Sequence, residues 1–148
     1  MKRFIPLVLV AAGLIICLEI WGETGEHVKA SEGGKPMLKA VIHINFPDSE
    51  RQKSGLKNIT NILKEEKDAE IEVVCHGGGI GLLVKDQSDH GDEVVRLIKA
   101  GVRFVACENT LRDKSIPIEK LLPDVTRVPS GAVEVIRKQQ EGFGYFRP

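Results

Sequence analysis

The sequence predicts an α/β domain built on a small, doubly wound parallel sheet of about four to five strands, with helices on both faces. Its 148 residues have the length of a single domain. Apolar segments rich in β-branched residues alternate four times with segments whose apolar residues recur at helical spacing. This alternation is typical of a parallel sheet that helices cover on both sides. Ligands of such sheets bind at the carboxyl ends of the strands.

The boundaries of the predicted elements follow from apolar runs, turn residues and helix caps. In chain order the elements are strand 37–46, helix 49–67, strand 69–75, helix 91–100, strand 102–107, short helical turns at 108–112 and 117–122, strand 125–128 and helix 131–140. Asp48 or Ser49 caps the first helix, where Gln52 is placed to complete a capping box with Ser49. Ser130 caps the last helix. We expect the tail, residues 142–148, to be irregular.

Each element has its own evidence in the sequence. Pro47 ends the first strand, and Gly101 ends the second long helix. Pro117 suits the first turn of a short helix, and Glu134 lies near the positive end of the last one. Apolar residues fall on one face of the two longer helices: Leu56, Ile59, Ile62 and Leu63 in the first, and Val94, Val95, Leu97 and Ile98 in the second.

The composition excludes several classes of protein. The 21 basic side chains balance the 21 acidic ones, whereas a general nucleic-acid binder carries a basic excess. Aromatic residues make up 5% of the chain, too few for the stacking surfaces of single-strand binders. Three cysteines are too few for a disulfide-built scaffold. We therefore expect no nucleic-acid partner.

The amino-terminal segment differs from the rest of the chain. Two basic residues precede an apolar run over residues 4–18, which is the pattern of a Sec-type signal peptide. A cleavage site flanked by small residues places the signal peptide at residues 1–30, ahead of a linker at 31–36. The alternative is an uncleaved anchor, although the run is shorter than the roughly 20 apolar residues that span a bilayer. We expect export to the periplasm or another extracytoplasmic compartment, with membrane contact only through an uncleaved segment.

Cys107 is the strongest candidate for chemistry. It ends the third predicted strand and directly precedes a helix start, where backbone N–H groups favour a thiolate and lower the pKa of a cysteine. Asn109 and Thr110 add hydrogen-bond donors, whereas Glu108 adds an opposing negative charge. The alternative is a buried, inert cysteine at a strand end. Cys75 also ends a strand, but it leads into glycines, so we expect Cys107 to be the more reactive thiol.

His76 and the glycines after it form a second candidate site. At the end of a strand, His76 suits an acid/base role or a hydrogen-bond donor, the alternative being an ordinary loop histidine. Gly77 and Gly79, with Asn109 and Thr110, offer donors for a small anionic ligand. The dinucleotide fingerprint lacks its third glycine, and no phosphate loop is present. Metal-ligand spacing is missing as well, so we expect no metal and no other cofactor.

Five blocks of sequence carry a family resemblance that spans nearly all of residues 37–148. They are His76-Gly77-x-Gly79; Gly101-Val102-x-Phe104-Val105-Ala106-Cys107-x-Asn109-Thr110-Leu111; Leu122-Pro123; Val128-Pro129-Ser130-Gly131; and Gln139-Gln140-Glu141-Gly142-x-x-Tyr145-x-Arg147-Pro148. Together they resemble the DsrE/DsrF-like family, in particular its exported branch. The resemblance implies a DsrE-like domain over residues 37–148 with a small parallel α/β fold.

The resemblance also implies a function and an assembly. In the better-understood relatives a cysteine carries sulfur as a persulfide, and Cys107 stands where many relatives have their cysteine. Relatives are commonly homo-oligomers, trimers or hexamers, and an apolar tail agrees with such an interface: Phe143, Tyr145 and Phe146. We expect a sulfur carrier or thiol-redox protein that acts through Cys107 on a small sulfur compound or a sulfur-relay protein, with or without turnover. The alternatives are a non-catalytic oligomer that binds a small anion at turn 76–81 and a purely structural oligomer.

Overall fold

The computed structural model describes residues 36–148. These residues form β1 Lys39–Ile44, α1 Ser49–Glu65, β2 Glu70–Cys75, α2 Gly91–Lys99, β3 Arg103–Cys107, α3 Glu108–Asp113, β4 Thr126–Val128, α4 Gly131–Gln140 and β5 Gly144–Phe146. Two 3-10 helices, Gly77–Leu83 and Ile118–Lys120, complete the elements of this part of the chain. Every predicted element is present, each within two residues of its predicted bounds.

The amino-terminal predictions lie outside the described residues. This holds for the signal peptide or anchor, residues 1–30, and for all but the last residue of the linker, residues 31–36. From residue 36 onward, no helix is both long enough and apolar enough to cross a membrane.

The sheet has five parallel strands in the order β4-β3-β2-β1-β5, which confirms the predicted fold class. β1 pairs with β2 up to Ile44↔Cys75, and β2 pairs with β3 up to Cys75↔Ala106. This register brings the carboxyl ends of the three central strands together. Because β4 and β5 lie at opposite edges of the sheet, α4, which joins them, crosses one whole face.

Apolar layers cover both faces of the sheet. On one face, strand residues pack with α1, α2, α3 and the first 3-10 helix; they include Ile42, Ile44, Val73, Cys75 and Phe104. On the other face, strand residues pack with α4 and the residues that follow it; this smaller cluster contains Val41, Val74, Val105, Val128, Val135 and Phe143. Successive side chains of a strand point to opposite faces. The three central strands are therefore mainly apolar, as in other buried parallel sheets.

The helix caps differ in part from the prediction. Asp48, the first of the two predicted caps, begins α1, because its carboxylate accepts a hydrogen bond from the Arg51 N–H at 2.7 Å. Gln52 does not close a capping box. Its buried side-chain amide donates to the carbonyl oxygen of Phe46 at 2.8 Å instead. The Ser130 side chain makes no capping hydrogen bond to α4, which leaves the first N–H groups of that helix available to another acceptor.

The tail, which we predict to be irregular, forms the fifth strand. It pairs in parallel with β1 from Ala40↔Gly144 to Ile42↔Phe146. A three-residue strand that contains a glycine has too little pattern to be recognised from sequence, and its order comes from pairing with β1. Phe143 is buried among the residues under α4, so it does not belong to the exposed apolar patch that the sequence predicts.

A buried carboxyl pair lies between α4 and the sheet. Glu72 of β2 is 2% exposed and accepts a hydrogen bond from Arg103 at 2.8 Å. Its other oxygen, Oε1, has no hydrogen-bond partner among the described residues. Burial raises the pKa of Glu72 to about 7; Arg103 and Lys138 oppose the shift, and the adjacent carboxyl of Glu134 adds to it. A proton kept on Oε1 of Glu72 and donated to the carboxylate of Glu134 gives this oxygen its partner.

Candidate functional site at the carboxyl edge of the sheet

Four side chains with acid/base or nucleophilic chemistry occupy adjacent strands near the carboxyl edge. In sheet order they are Cys107 at the end of β3, His76 directly after β2, His43 near the end of β1, and Tyr145 in β5. All four lie on the face that α4 covers. Side chains two residues apart in a strand share a face, and each of the four is two residues from one that packs with α4. The pairs are Cys107 and Val105, His76 and Val74, His43 and Val41, and Tyr145 and Phe143.

The first residue of α4 packs directly against Cys107 and His76. A Cβ placed on Gly131 would lie 3.2 Å from the Cβ of Cys107, 3.2 Å from the Cβ of His76 and 3.2 Å from Cγ1 of Val74. These distances are tighter than ordinary packing contacts, so glycine allows the helix to approach the sheet closely. The approach brings the N–H of Gly131 within hydrogen-bond reach of the Cys107 sulfur.

Four donors face the sulfur of Cys107 and can hydrogen-bond to its thiolate. They are the N–H of Gly131, the hydroxyl of Thr110, and the N–H groups of Thr110 and Asn109. Burial by itself raises the pKa of this thiol, because a thiolate loses its hydration. The hydrogen bonds outweigh burial, so the pKa of Cys107 lies below that of an ordinary cysteine. Because the N–H groups belong to the starts of α3 and α4, both helix dipoles also favour the thiolate.

The Thr110 hydroxyl has a fixed hydrogen-bond direction. Its oxygen accepts the N–H of Gly77 at 3.0 Å, and a backbone N–H can only donate. The hydroxyl hydrogen is thereby left for the sulfur of Cys107. Thr110 thus ties the segment after β2 to the start of α3 and presents a donor to the thiolate.

Glu108 does not oppose the thiolate in the way that the sequence suggests. Its carboxylate accepts a hydrogen bond from the guanidinium of Arg127 at 3.2 Å, and this positive partner offsets its negative charge. The side chain of Asn109 also has another partner, because its oxygen accepts a hydrogen bond from Arg112. Only the backbone N–H of Asn109, which also donates to the Pro129 carbonyl oxygen at 3.2 Å, serves the sulfur.

Cys75 has a contrasting environment. Its side chain is fully buried in the apolar cluster on the opposite face of the sheet, whereas Cys107 is 5% exposed. Burial without compensating donors raises the pKa of Cys75 well above its usual range. Both are free thiols. Because their side chains point to opposite faces, they cannot form a disulfide without backbone movement.

His43 connects His76 to Tyr145. The Nε2 atoms of His43 and His76 are 2.6 Å apart, and Nδ1 of His43 lies 2.9 Å from the Tyr145 hydroxyl. The histidine ring centroids are 4.7 Å apart with an interplanar angle of 23°, so the rings meet edge to edge through their nitrogens. Burial lowers the pKa of both histidines; for His43, the adjacent His76 and Arg147 add to the effect and the pKa falls to about 4. Both rings are therefore neutral near pH 7.

His43 and Tyr145 belong to the site, although the sequence does not single them out. His43 lies within an apolar strand, where a single histidine has no periodic signal. Its two-residue spacing from Val41 is the one signal in the sequence, because it places both side chains on the same face of the sheet. Tyr145 has no comparable signal, since its position depends on the strand β5, which the sequence does not reveal.

The glycines predicted to bind a ligand have structural roles. The N–H of Gly77 donates to Thr110, and the N–H of Gly79 donates to the His76 carbonyl oxygen at 3.0 Å. A Cβ on Gly79 would lie 2.1 Å from the carbonyl oxygen of Ile44, so this close approach to β1 requires glycine. Neither N–H is free for an anion in this arrangement. Within residues 36–148, no cluster of three or more His, Cys, Asp or Glu side chains is arranged to hold a metal ion.

Comparison with known proteins places this site within a family domain. The sequence model of the DsrE/DsrF-like family matches residues 39–148, from the start of β1 to two residues beyond β5. The chain belongs to the DsrE/DsrF-like family. This DsrE-like chain is also similar to a solved structure, the protein of unknown function MTH1491 from Methanobacterium thermoautotrophicum. The two are 36% identical, over 75% of this chain and 99% of that one, with a TM-score of 0.72. No functionally curated protein matches the sequence.

Proposed function

We propose that this DsrE-like protein carries sulfane sulfur on Cys107 as a persulfide. The observation that best supports the proposal is the set of four donors around the Cys107 sulfur. They stabilise a thiolate, which is the form of cysteine that attacks sulfur. A structural cysteine needs no such donors, as the apolar surroundings of Cys75 illustrate. The link of the DsrE-like family with sulfur relay agrees with this role.

A carrier role accounts for the site better than dithiol redox chemistry. A dithiol mechanism needs a second cysteine that can reach the first, and Cys75 lies on the other face of the sheet. No other cysteine occurs among the described residues. A persulfide carrier needs one cysteine only.

The loading step balances without an external oxidant. The Cys107 thiolate attacks the outer sulfur of a persulfide donor, R–S–SH. A new S–S bond forms at Sγ of Cys107, and the old S–S bond breaks with its electron pair on R–S⁻. Unloading is the same exchange with an acceptor thiolate, and Cys107 then departs. Because a thiolate of lower pKa leaves faster, the four donors assist unloading as well.

The exposure of Cys107 bears on its partners. Because Cys107 is 5% exposed, a small sulfur compound can approach it more closely than a folded protein can. A persulfide extends the side chain by about 2 Å, the length of one S–S bond. We propose that a small sulfur compound loads Cys107 and that the extended persulfide is the form that an acceptor contacts.

Mass spectrometry after brief treatment with polysulfide tests the carrier role. Wild-type protein and the matched control Cys75→Ala should both gain sulfur that a reductant removes, and peptide mapping should place it on Cys107. The Cys107→Ser variant should gain none within residues 36–148. Reducible sulfur on Cys75, or wild-type Cys107 that stays unmodified, would contradict the proposal.

We further propose export and self-assembly, both of which the sequence predicts. The export signal comprises the basic start and the apolar run of residues 4–18. For self-assembly, the structure offers an apolar pair on the outer side of α4, where Val133 and Ile136 are 50% and 57% exposed. Exposed apolar residues on consecutive turns of one helix suit a subunit interface, consistent with the trimer or hexamer expected from the family.

A further inference from the structure

The hydrogen-bonded row of Tyr145, His43 and His76 donates no hydrogen bond to the Cys107 sulfur, so stabilisation of the thiolate does not explain it. We infer that these three residues form a proton relay. When Cys107 attacks the persulfide R–S–SH, the relay protonates the thiolate R–S⁻ that leaves. The inference rests on the proposed function in one respect, because it takes Cys107 as the attacking thiol. His76 would touch the leaving sulfur, and His43 and Tyr145 would act through it.

The distances permit only two arrangements of protons along the row. In the first, the Tyr145 hydroxyl donates to Nδ1 of His43, and the Nε2–H of His43 donates to Nε2 of His76. The proton of neutral His76 is then on Nδ1, an atom to which no described residue hydrogen-bonds. In the second, Nδ1–H of His43 donates to the Tyr145 oxygen, and Nε2–H of His76 donates to Nε2 of His43. Nδ1 of His76 then carries no proton. The two arrangements differ by the passage of one proton along the whole row.

His76 is placed where a leaving sulfur would be. The register Cys75↔Ala106 makes His76 the neighbour of Cys107 across two adjacent strands, and neighbouring strands lie about 4.8 Å apart. In an in-line attack, the leaving sulfur lies two S–S bonds, or about 4 Å, from Sγ of Cys107. The Cβ atoms of both residues flank Gly131 at the same distance of 3.2 Å. The leaving sulfur is therefore within the reach of the imidazole.

Proton transfer through the row is balanced. As the S–S bond of the donor breaks, R–S⁻ takes the proton from Nδ1 of His76. His43 passes its Nε2 proton to Nε2 of His76, and Tyr145 passes its hydroxyl proton to Nδ1 of His43. Tyr145, which is 47% exposed, regains a proton from water. No group is left charged, so the neutral state of the buried histidines suits the relay.

The test compares two disulfides whose leaving thiolates differ in basicity and therefore in their need for a proton. An alkyl disulfide, such as bis(2-hydroxyethyl) disulfide, expels a basic thiolate, whereas a nitroaryl disulfide expels a weakly basic one that leaves unaided. We expect Tyr145→Phe and His43→Gln to slow the attack of Cys107 on the alkyl disulfide about tenfold or more at pH 7, within the range of general acid catalysis. The rate with the nitroaryl disulfide should change less than about twofold.

Two controls keep the test decisive. His90→Gln alters a histidine outside the row, bonded to Ser49, and should affect neither rate. Should a variant fold poorly, the wild-type protein itself should react more slowly in D₂O with the alkyl disulfide but not with the nitroaryl one. Equal slowing of both disulfides in the row variants, or no slowing of either, would overturn the relay. The proposed function is tested by a different experiment, the loading of Cys107 from polysulfide. Failure of that loading would overturn the proposed function, whereas the disulfide rates test the relay.

Discussion

A methyl group added at Gly131 probes the hydrogen bonds that hold Cys107 as a thiolate. The new Cβ of Gly131→Ala would meet Cys107, His76 and Val74 at 3.2 Å, so α4 must shift outward by a few tenths of an ångström and weaken its N–H bond to the sulfur. A hydrogen bond to a charged group contributes about 1.5–3 kcal/mol, and one pKa unit corresponds to about 1.4 kcal/mol. Loss of half to all of this bond should raise the pKa of Cys107 by roughly 0.5–2 units.

The assay is the rate of alkylation by iodoacetamide as a function of pH, in protein that also carries Cys75→Ala. Below the pKa, the alkylation rate follows the thiolate fraction, so the Gly131→Ala variant should react roughly 3- to 100-fold more slowly near neutral pH. Gly81→Ala is the matched control, since its Cβ would meet only Gln87, at an ordinary 3.5 Å. A folded Gly131→Ala variant with the unchanged pH profile would refute the role of α4.

Three other outcomes are expected. Glu72 keeps its proton up to about pH 7 in the folded protein but only to its ordinary 4.5 when unfolded; the free energy of unfolding should therefore fall by about 1–3 kcal/mol as pH rises through that window. Urea unfolding should show this slope in wild type and lose it in Glu72→Gln. Ile136→Glu should reduce the oligomer mass measured by light scattering, whereas a monomeric wild type would contradict the self-assembly proposal. Fractionation should find residues 1–30 removed or membrane-held; intact cytoplasmic protein that begins at Met1 would argue against export.

The sheet and its helices could be predicted because their signals are local. The apolar runs of β1, β2 and β3 and the periodicity of α1 and α2 lie within single windows of sequence. The strand β5 could not be predicted, because Gly144–Phe146 gains its order from β1, about a hundred residues earlier. Ser130 is the N-cap residue of α4 as predicted, but its side chain makes no capping hydrogen bond. The N–H of Gly131 in this helix faces Cys107, a residue on another element.

The sequence predicts only those site residues whose signal lies within a single strand or helix. A cysteine between a strand and a helix start pointed to Cys107, and the same reasoning pointed to His76. The donor Gly131 and the row that continues to His43 and Tyr145 arise from the register of four strands and the path of α4. The structural roles of the glycines, in place of the predicted ligand binding, have the same origin. Only the structure shows that Gly79 packs against the end of β1.

The central claim is that the reacting group is a Cys107 thiolate that the fold stabilises. The most direct test measures sulfur loading from polysulfide against pH in the Cys75→Ala protein, beside the alkylation rate of the same protein. We predict that both rates depend on one apparent pKa, below the value of about 8.5 for a free cysteine. Loading that follows a pKa at or above that value, or that persists on the domain in Cys107→Ser, would contradict the claim.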